Sequence, residues 1–434
     1  MLAYFEKRFA IFGLIFLSDV IGVYSLFVDP DPAADSGGAY NPLYPVLSLI
    51  QYSVYGITFF LLVARPHGSV RTVLRDPLVW CLTLLAPLSF LWSDVGTDSL
   101  RKGVTLFQTS TFGLYLATRF TPREQIRLLT WALGLIALFS LLFTLAKPGS
   151  AIEAGANAGS WRGPFVQKNI FARVEVLSAA VFLVEIMLAQ HPSRWIWGGF
   201  WLSLLLVFLT GSKTALLVFI ALLILVPLYR ALRWNTTIVI PIIITVLLIM
   251  GSLTTVVVGN WEGLLLGLGK DPTLSGRTHL WEIALEKIAN RPWLGYGYMG
   301  FWQSRGEAFD IWKAVGYRPP HAHNGYINMA LDFGYVGFGL FAMSIIVNFR
   351  RGIEWVRSGT TATEIWPILY VTFFFLYNYS ESTIVQHNSL FWALYVAAGL
   401  TMRRVSRHRM AEAPPPPVVR RSPVSQESQF NPEA

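Results

Sequence analysis

The chain has 434 residues, 54% of them hydrophobic and only 14% charged, well below the roughly 25% charge of soluble domains. Its net charge of +9 comes from Lys and Arg scattered between apolar runs instead of forming one stripe, which excludes a nucleic-acid reading. The single cysteine, Cys81, lies in an apolar run without a partner, so disulfides add nothing to the fold.

Apolar runs of about 20 residues match a hydrocarbon core of ~30 Å, and they are continuous, not alternating, which favours helices over a barrel. The expectation is an all-α polytopic membrane protein with about a dozen transmembrane helices. In chain order they fall near residues 9–28, 43–64, 77–92, 103–118, 126–146, 169–189, 195–210, 214–232, 236–258, 325–348, 365–380 and 388–402. The first follows Lys7 and Arg8, as a signal peptide would, but it runs too long and lacks a small-residue cleavage site, so it reads as a retained span. The third, fourth and last are short for a full crossing.

Residues 1–258 thus carry the first nine helices, interrupted by a loop at 147–168, and residues 324–402 carry the last three. Between them, residues 259–323 are rich in Trp, Tyr and Gly and are expected to fold as a small helical cap, since loops this long tend to be functional. Within the cap, Ser275 is placed to start a helix with Trp281, Ala284, Leu285 and Ile288 on one face and Glu282, Glu286 and Lys287 on the other. Asn290, Arg291 and Pro292 end it. From 403 to 434 the chain turns to Arg, Pro, Ser, Gln and Glu and reads as a disordered tail. No internal repeat and no pair of broken helices is evident.

Alternate loops differ in charge. One set holds Lys7, Arg8, Arg65, Arg71, Arg119, Arg123, Arg194, Arg230, Arg233, Arg350 and Arg351, and the other holds Asp29–Asp35, Asp94 and Asp98. The positive-inside rule then puts both termini in the cytoplasm. The informative residues are the cations left on the opposite face: Arg162 and Lys168 with Asn169, Lys213 after Ser212, Arg277 after Gly276, and the run His321, His323, Asn324. Arg277 in the first turn of a helix would add a full charge to an anion site made by free amides and the helix dipole. Lys213, Arg162 and Lys168 would supply further donors to a pyrophosphate.

Each has a plainer reading. Arg277 could pair with a cap-helix glutamate, Lys213 could snorkel, and Arg162 and Lys168 could meet lipid headgroups or Glu153. Arg173, inside a span, is a functional candidate or the partner of Glu175 or Glu185. His323 suits proton transfer near neutrality, or caps the following helix. A metal on His321 and His323 needs a third ligand, and none is evident; Glu307 and Asp310 form no cluster, so no metal is expected.

Gly163, Phe165, Asn169, Phe171 and Ala172, then Ser212 and Lys213, then Gly276, Arg277 and Trp281, then Pro292 to Gly297, and finally His323, Asn324, Gly334 and Gly337 stand in an order that resembles the O-antigen ligase and polymerase superfamily of bacterial envelope proteins. The resemblance is specific over about residues 160–340. It implies a GT-C-like glycosyltransferase in the bacterial inner membrane with a periplasmic site, moving a glycan from undecaprenyl pyrophosphate to a lipid A core sugar without metal or cofactor. It further implies His323 and Arg277 as catalytic residues, Arg277 with Lys213 on the pyrophosphate, and donor, lipid A core and membrane lipids as the partners of a monomer. Many members carry Arg at the position of Lys213. Polymerases of the superfamily use the same donor, and the motifs do not separate the two. A secondary transporter is the reading from another class, but it predicts midplane charges on discontinuous helices; here only Asp19, Arg173, Glu175, Glu185 and Asp332 depart from the gathering of charge at one surface.

Overall fold

The computed structural model describes residues 2–29, 41–74, 76–235, 237–241, 245, 277–303, 307–316 and 318–412. The described chain is helical: α1 (Leu2–Leu17), α2 (Tyr44–Val63), α3 (Pro66–Val73), α4 (Pro77–Leu88), α5 (Gly96–Arg119), α6 (Pro122–Ala146), the single turn α7 (Pro148–Ala151), α8 (Lys168–Leu188), α9 (Arg194–Leu209), α10 (Lys213–Ala231), α11 (Arg277–Asn290), α12 (Phe309–Val315), α13 (Gly325–Ser358), α14 (Ile365–Tyr377) and α15 (Leu390–Glu412). A helix covers each expected apolar segment except the ninth, 236–258, most of which lies outside the described residues, as do residues 259–276 with Ser275 and Gly276.

The expected dozen crossings are not all matched by length. Among the described residues four helices, α2, α6, α10 and α13, are long and apolar enough to cross a bilayer, or five if the bent segment beginning with α1 counts as one span. That first segment does not run straight to residue 28. It breaks after Leu17, where Asp19 adopts φ 67°, and the chain turns by 65° into short 3-10 turns. α4, α9, α14 and the start of α15 are shorter apolar helices. Large apolar side chains such as Leu49, Phe60, Phe208, Leu217 and Ile346 stand exposed around the bundle. On a water-soluble protein so broad an apolar exterior would be anomalous, and lipid is the solvent that suits it.

Inside, α8 is buried along nearly its whole length and packs on α6, α9, α10 and α14, as a helix apolar on every side must. α15 packs along α5, and α4 lies between α5 and α13. At one end of the bundle Glu6 pairs with Arg119, Lys7 with Glu124 at 3.0 Å, Asp76 with Arg403 at 3.0 Å, and Arg233 with Glu364 at 3.6 Å, and at the other Arg291 pairs with Asp94 at 3.1 Å. The polar side chains described in the next section lie at the other end.

One helix is broken, against expectation. In α13, Gly334 has φ 60° and ψ −158°, and a Cβ there would lie 2.4 Å from the Trp293 backbone. The break is closed by exchange with the Pro292–Gly297 segment. Tyr296 and Gly297 N–H donate to the carbonyls of Leu331 and Asp332 at 2.8 and 3.0 Å, while Tyr335 and Val336 N–H donate to Pro292 and Trp293 at 2.6 and 3.1 Å. The backbone groups a broken helix would orphan are thereby satisfied. The cap around α11 has its own core of Leu280, Ala284, Ile288, Tyr296, Phe301 and Ile311. Leu285, expected on the buried face, is instead exposed. Glu307 and Asp310 both pair with Lys287. α15 continues to Glu412, so the segment expected to be disordered from 403 begins as helix.

Candidate functional site

The start of α8, the start of α10, the start of α11, the start of α13 and the loop after α14 meet at one point. Ser212, preceding α10, donates its hydroxyl to Asn169 Oδ1 of α8 at 3.2 Å. Arg277, at the head of α11, donates from Nη1 to the Ser380 carbonyl at 3.3 Å. Trp281 Nε1 donates to the Ala322 carbonyl at 2.8 Å, fixing the turn between the two histidines. Asn324 is the N-cap of α13, its side chain accepting from Tyr326 and Ile327 N–H at 3.0 and 3.2 Å. The loop after α14 is tied down by Asn378, whose Oδ1 accepts from Thr383 and Ile384 N–H and whose carbonyl accepts from Gly325 N–H at 2.8 Å.

At the centre, ligand atoms of His321, His323 and Glu381 lie within 4.8 Å of one another. The His rings pack edge to face at 4.3 Å between centroids. His321 Nδ1 accepts from His323 N–H at 3.1 Å, so the proton of neutral His321 sits on Nε2. His323, at φ 50°, has a buried Nδ1 without a protein partner. It does not cap α13; Asn324 does that. Burial, with Arg173 and Arg277 adding to it, lowers the His321 pKa from 6.5 to about 4. Burial, with His321 and Arg277 adding, lowers that of His323 to about 2. Both rings are therefore neutral near pH 7. Burial raises the carboxyl pKa of Glu381, with the charges of Arg173 and Arg277 and the amide of Asn169 acting the other way.

Arg173 does not pair with Glu175 or Glu185: none of the ion pairs among the described residues includes it. Residues two apart point to different sides of a helix. Its guanidinium lies 4.8 Å from the Phe391 ring centroid, its charge acts on His321 and Glu381, and its buried Nε has no partner.

The four expected phosphate cations part company here. Arg277 is at the centre. Arg162 is 2% exposed and spends every donor on main-chain carbonyls. Nε reaches Ser150 at 2.9 Å, Nη1 reaches Asp29 and Val166 at 2.7 and 3.2 Å, and Nη2 reaches Ser25 and Val28 at 3.2 and 2.8 Å. A guanidinium has five N–H groups, so none remains for a phosphate. Lys168 Nζ donates to Ser160 at 3.3 Å, and its backbone N–H donates to Glu153 at 2.7 Å. Lys213 is exposed at the head of α10, beside the Ser212 contact, with no ion-pair or hydrogen-bond partner among the described residues. Glu381 had no place among the sequence candidates. The available signal was strict alternation: the short loop at 381–387 follows the eleventh span and must emerge on the face that carries His323.

Glu381 is also the third donor that a metal on the two histidines lacked, and the three together have a spacing that a cation could use. The Arg173 and Arg277 charges both bear on His321 and Glu381, and Arg277 bears on His323 as well; their repulsion of a dication favours an anion instead. Helix N-termini facing the point add partial positive charge. The arrangement can hold an anionic group beside an unprotonated imidazole, inside a multi-pass helical membrane protein.

Residues 198–342 match the family described as O-antigen ligase, a span that includes Lys213, Arg277, His321, His323 and Asn324. The chain is also 25% identical over 321 residues, 72% of each chain, to the exopolysaccharide production protein ExoQ of Rhizobium meliloti (strain 1021). Both matches agree with the resemblance to the O-antigen ligase and polymerase superfamily that the sequence motifs carry.

Proposed function

We propose that the protein transfers a glycan from undecaprenyl pyrophosphate to a sugar hydroxyl of lipid A core at the periplasmic face of the inner membrane, without a metal. The observation that carries this reading is the placement of Arg277 and Arg173 beside the cluster of His321, His323 and Glu381, in which His323 Nδ1 is buried and unpartnered. In the transfer, the acceptor oxygen forms a bond to the anomeric carbon as the bond from that carbon to the pyrophosphate oxygen breaks, and the electron pair leaves with the pyrophosphate. Fixed guanidinium charges stabilise that developing charge better than water, which must reorganise. His323 takes the hydroxyl proton. Burial keeps its affinity for a proton low, with His321 and Arg277 adding to it, and the negative donor offsets the Arg277 charge, so the base strengthens when substrate is bound. Attack opposite the leaving group inverts the anomeric centre.

Glu381 shares the proton site with His321 and His323 and balances the arginines. With both termini on the cytoplasmic side this end of the bundle lies outside, in keeping with the Lys- and Arg-rich loops at the opposite end.

A second reading, polymerisation onto another lipid-linked glycan, is favoured by the exopolysaccharide name of the relative. Deleting the gene separates them. Loss of a ligase leaves bare lipid A core while lipid-linked polymer persists; loss of a polymerase leaves single repeats or no polymer. Wild-type transfer by purified His323→Ala protein overturns both.

A further inference from the structure

Beside His321 lies a cavity of about 70 Å³ whose walls include Trp302, Asn328, Asp332, Ser382 and Gln386. At ~30 Å³ per water it holds about two waters, or the edge of a ring rather than a whole one. Its polar groups are incompletely used. Ser382 Oγ and Gln386 Oε1 are buried and have no hydrogen-bond partner. Asn328 Oδ1 accepts from Trp302 Nε1 at 3.1 Å and from Ala322 N–H at 2.9 Å, which leaves its amide donors for something else. Buried polar atoms without partners are rare and call for a ligand or water.

The unused groups define what fits. Gln386 Oε1 needs a donor, the Asn328 amide needs an acceptor, and the Ser382 hydroxyl serves as either. Asp332 adds a carboxyl, and Trp302 adds ring surface whose N–H is already spent. An anionic phosphate brings acceptors only and meets a carbonyl and a carboxyl. Vicinal hydroxyls, each donor and acceptor at once, match the set. The cavity shares His321 with the catalytic cluster, so a hydroxyl on the same sugar ring can reach His323.

We propose that this cavity is the acceptor-sugar subsite, which takes the hydroxyl-bearing edge of the acceptor's terminal sugar while Arg277 and Arg173 hold the donor's pyrophosphate. The assignment rests on the glycosyl-transfer reading above and adds a division of labour to it. The full chain in detergent, given lipid-linked donor and graded acceptor, tests the division. Gln386→Ala and Ser382→Ala should each raise the acceptor KM roughly 5–10-fold, the loss of one hydrogen bond, with donor KM and kcat at saturating acceptor unchanged. A raised donor KM, or no change in either KM, overturns it.

A second measurement does not need turnover, so it separates this proposal from failure of the transfer reading. In a Cys81→Ala background, which removes the only native thiol, Ser382→Cys is labelled with a small methanethiosulfonate reagent. Protection by methyl hexosides but not by inorganic pyrophosphate supports the sugar subsite. Protection by pyrophosphate, or by neither, overturns it, whatever the purified enzyme does with its donor.

Discussion

Arg162 and Arg277 stand at the same end of the bundle and looked alike as candidates, yet their surroundings give them opposite work. Arg162 is sealed among five carbonyls drawn from the 3-10 turns after α1, from α7 and from the loop before α8. Among the described residues Arg277 donates to one carbonyl, and it faces a carboxylate and two neutral rings. A cation whose donors are saturated holds a loop together; one whose donors are spare is available to a ligand.

Substitution sharpens that contrast, and the largest effect belongs to His323. His323→Ala should lower glycan transfer by at least about 10²-fold, the scale of a lost general base, with the melting temperature in detergent unchanged. Arg277→Ala should lower it about 10²-fold, the scale of one lost charge-stabilising donor. Arg277→Lys should recover part of this, because the charge returns without the planar fork.

Arg162→Ala should act through stability. Five carbonyls would lose their donor in a buried site, at a cost of about 3 kcal/mol or more, read as a lower melting temperature and poor yield. The fraction that folds should transfer glycan at near the normal rate per molecule. A variant that folds well but has lost donor affinity would reverse the roles assigned to the two arginines.

The pH response is smaller and has a definite sign. The folded pKa values of His321 and His323 are depressed from 6.5 to about 4 and about 2, so below pH 6.5 the unfolded chain binds protons that the folded chain does not. Stability from these two groups is therefore full above about 6.5 and falls as the pH drops below it. Thermal melts from pH 7.5 down to 5 should show that decline, while the free enzyme's kcat/KM shows no inflection near 6.5 from either ring. An inflection there would mean an exposed, ordinary histidine.

The smallest effects are expected from Lys213→Ala, a few-fold loss at most from an exposed ammonium, and from EDTA, which should leave transfer unchanged. Loss of activity with EDTA and its return with a divalent cation would instead make His321, His323 and Glu381 a metal site.

Much of the fold was legible because the bilayer imposes a length on every crossing and an alternation on every loop. The helical segments followed from apolar run length, and the ends of α6, α9 and α10 fall close to the expected bounds. Places where the local pattern gave way are those where a partner remote in sequence decides the backbone. The bend at Asp19 is one. The break at Gly334 is another, since it exists only because Pro292–Gly297 supplies the exchanged hydrogen bonds. Gly334 and Gly295 both stood in the quoted motif, and their positive φ values explain why glycine occupies them.

The site was legible by composition and not by assembly. The sequence by itself determined that this is a multi-pass helical membrane protein, that His323 lies where the chain re-enters the bundle, and that a few cations share its face, because hydropathy and charge are local properties of a chain. Only the tertiary structure decided which cation faces the histidine cluster, that Asn324 and not His323 caps α13, and that Glu381 and Arg173 complete the cluster. Those are questions of which donors remain unpaired after packing, and the contact of Arg162 with the Asp29 carbonyl, or the approach of His323 to Glu381, depends on distances that folding creates.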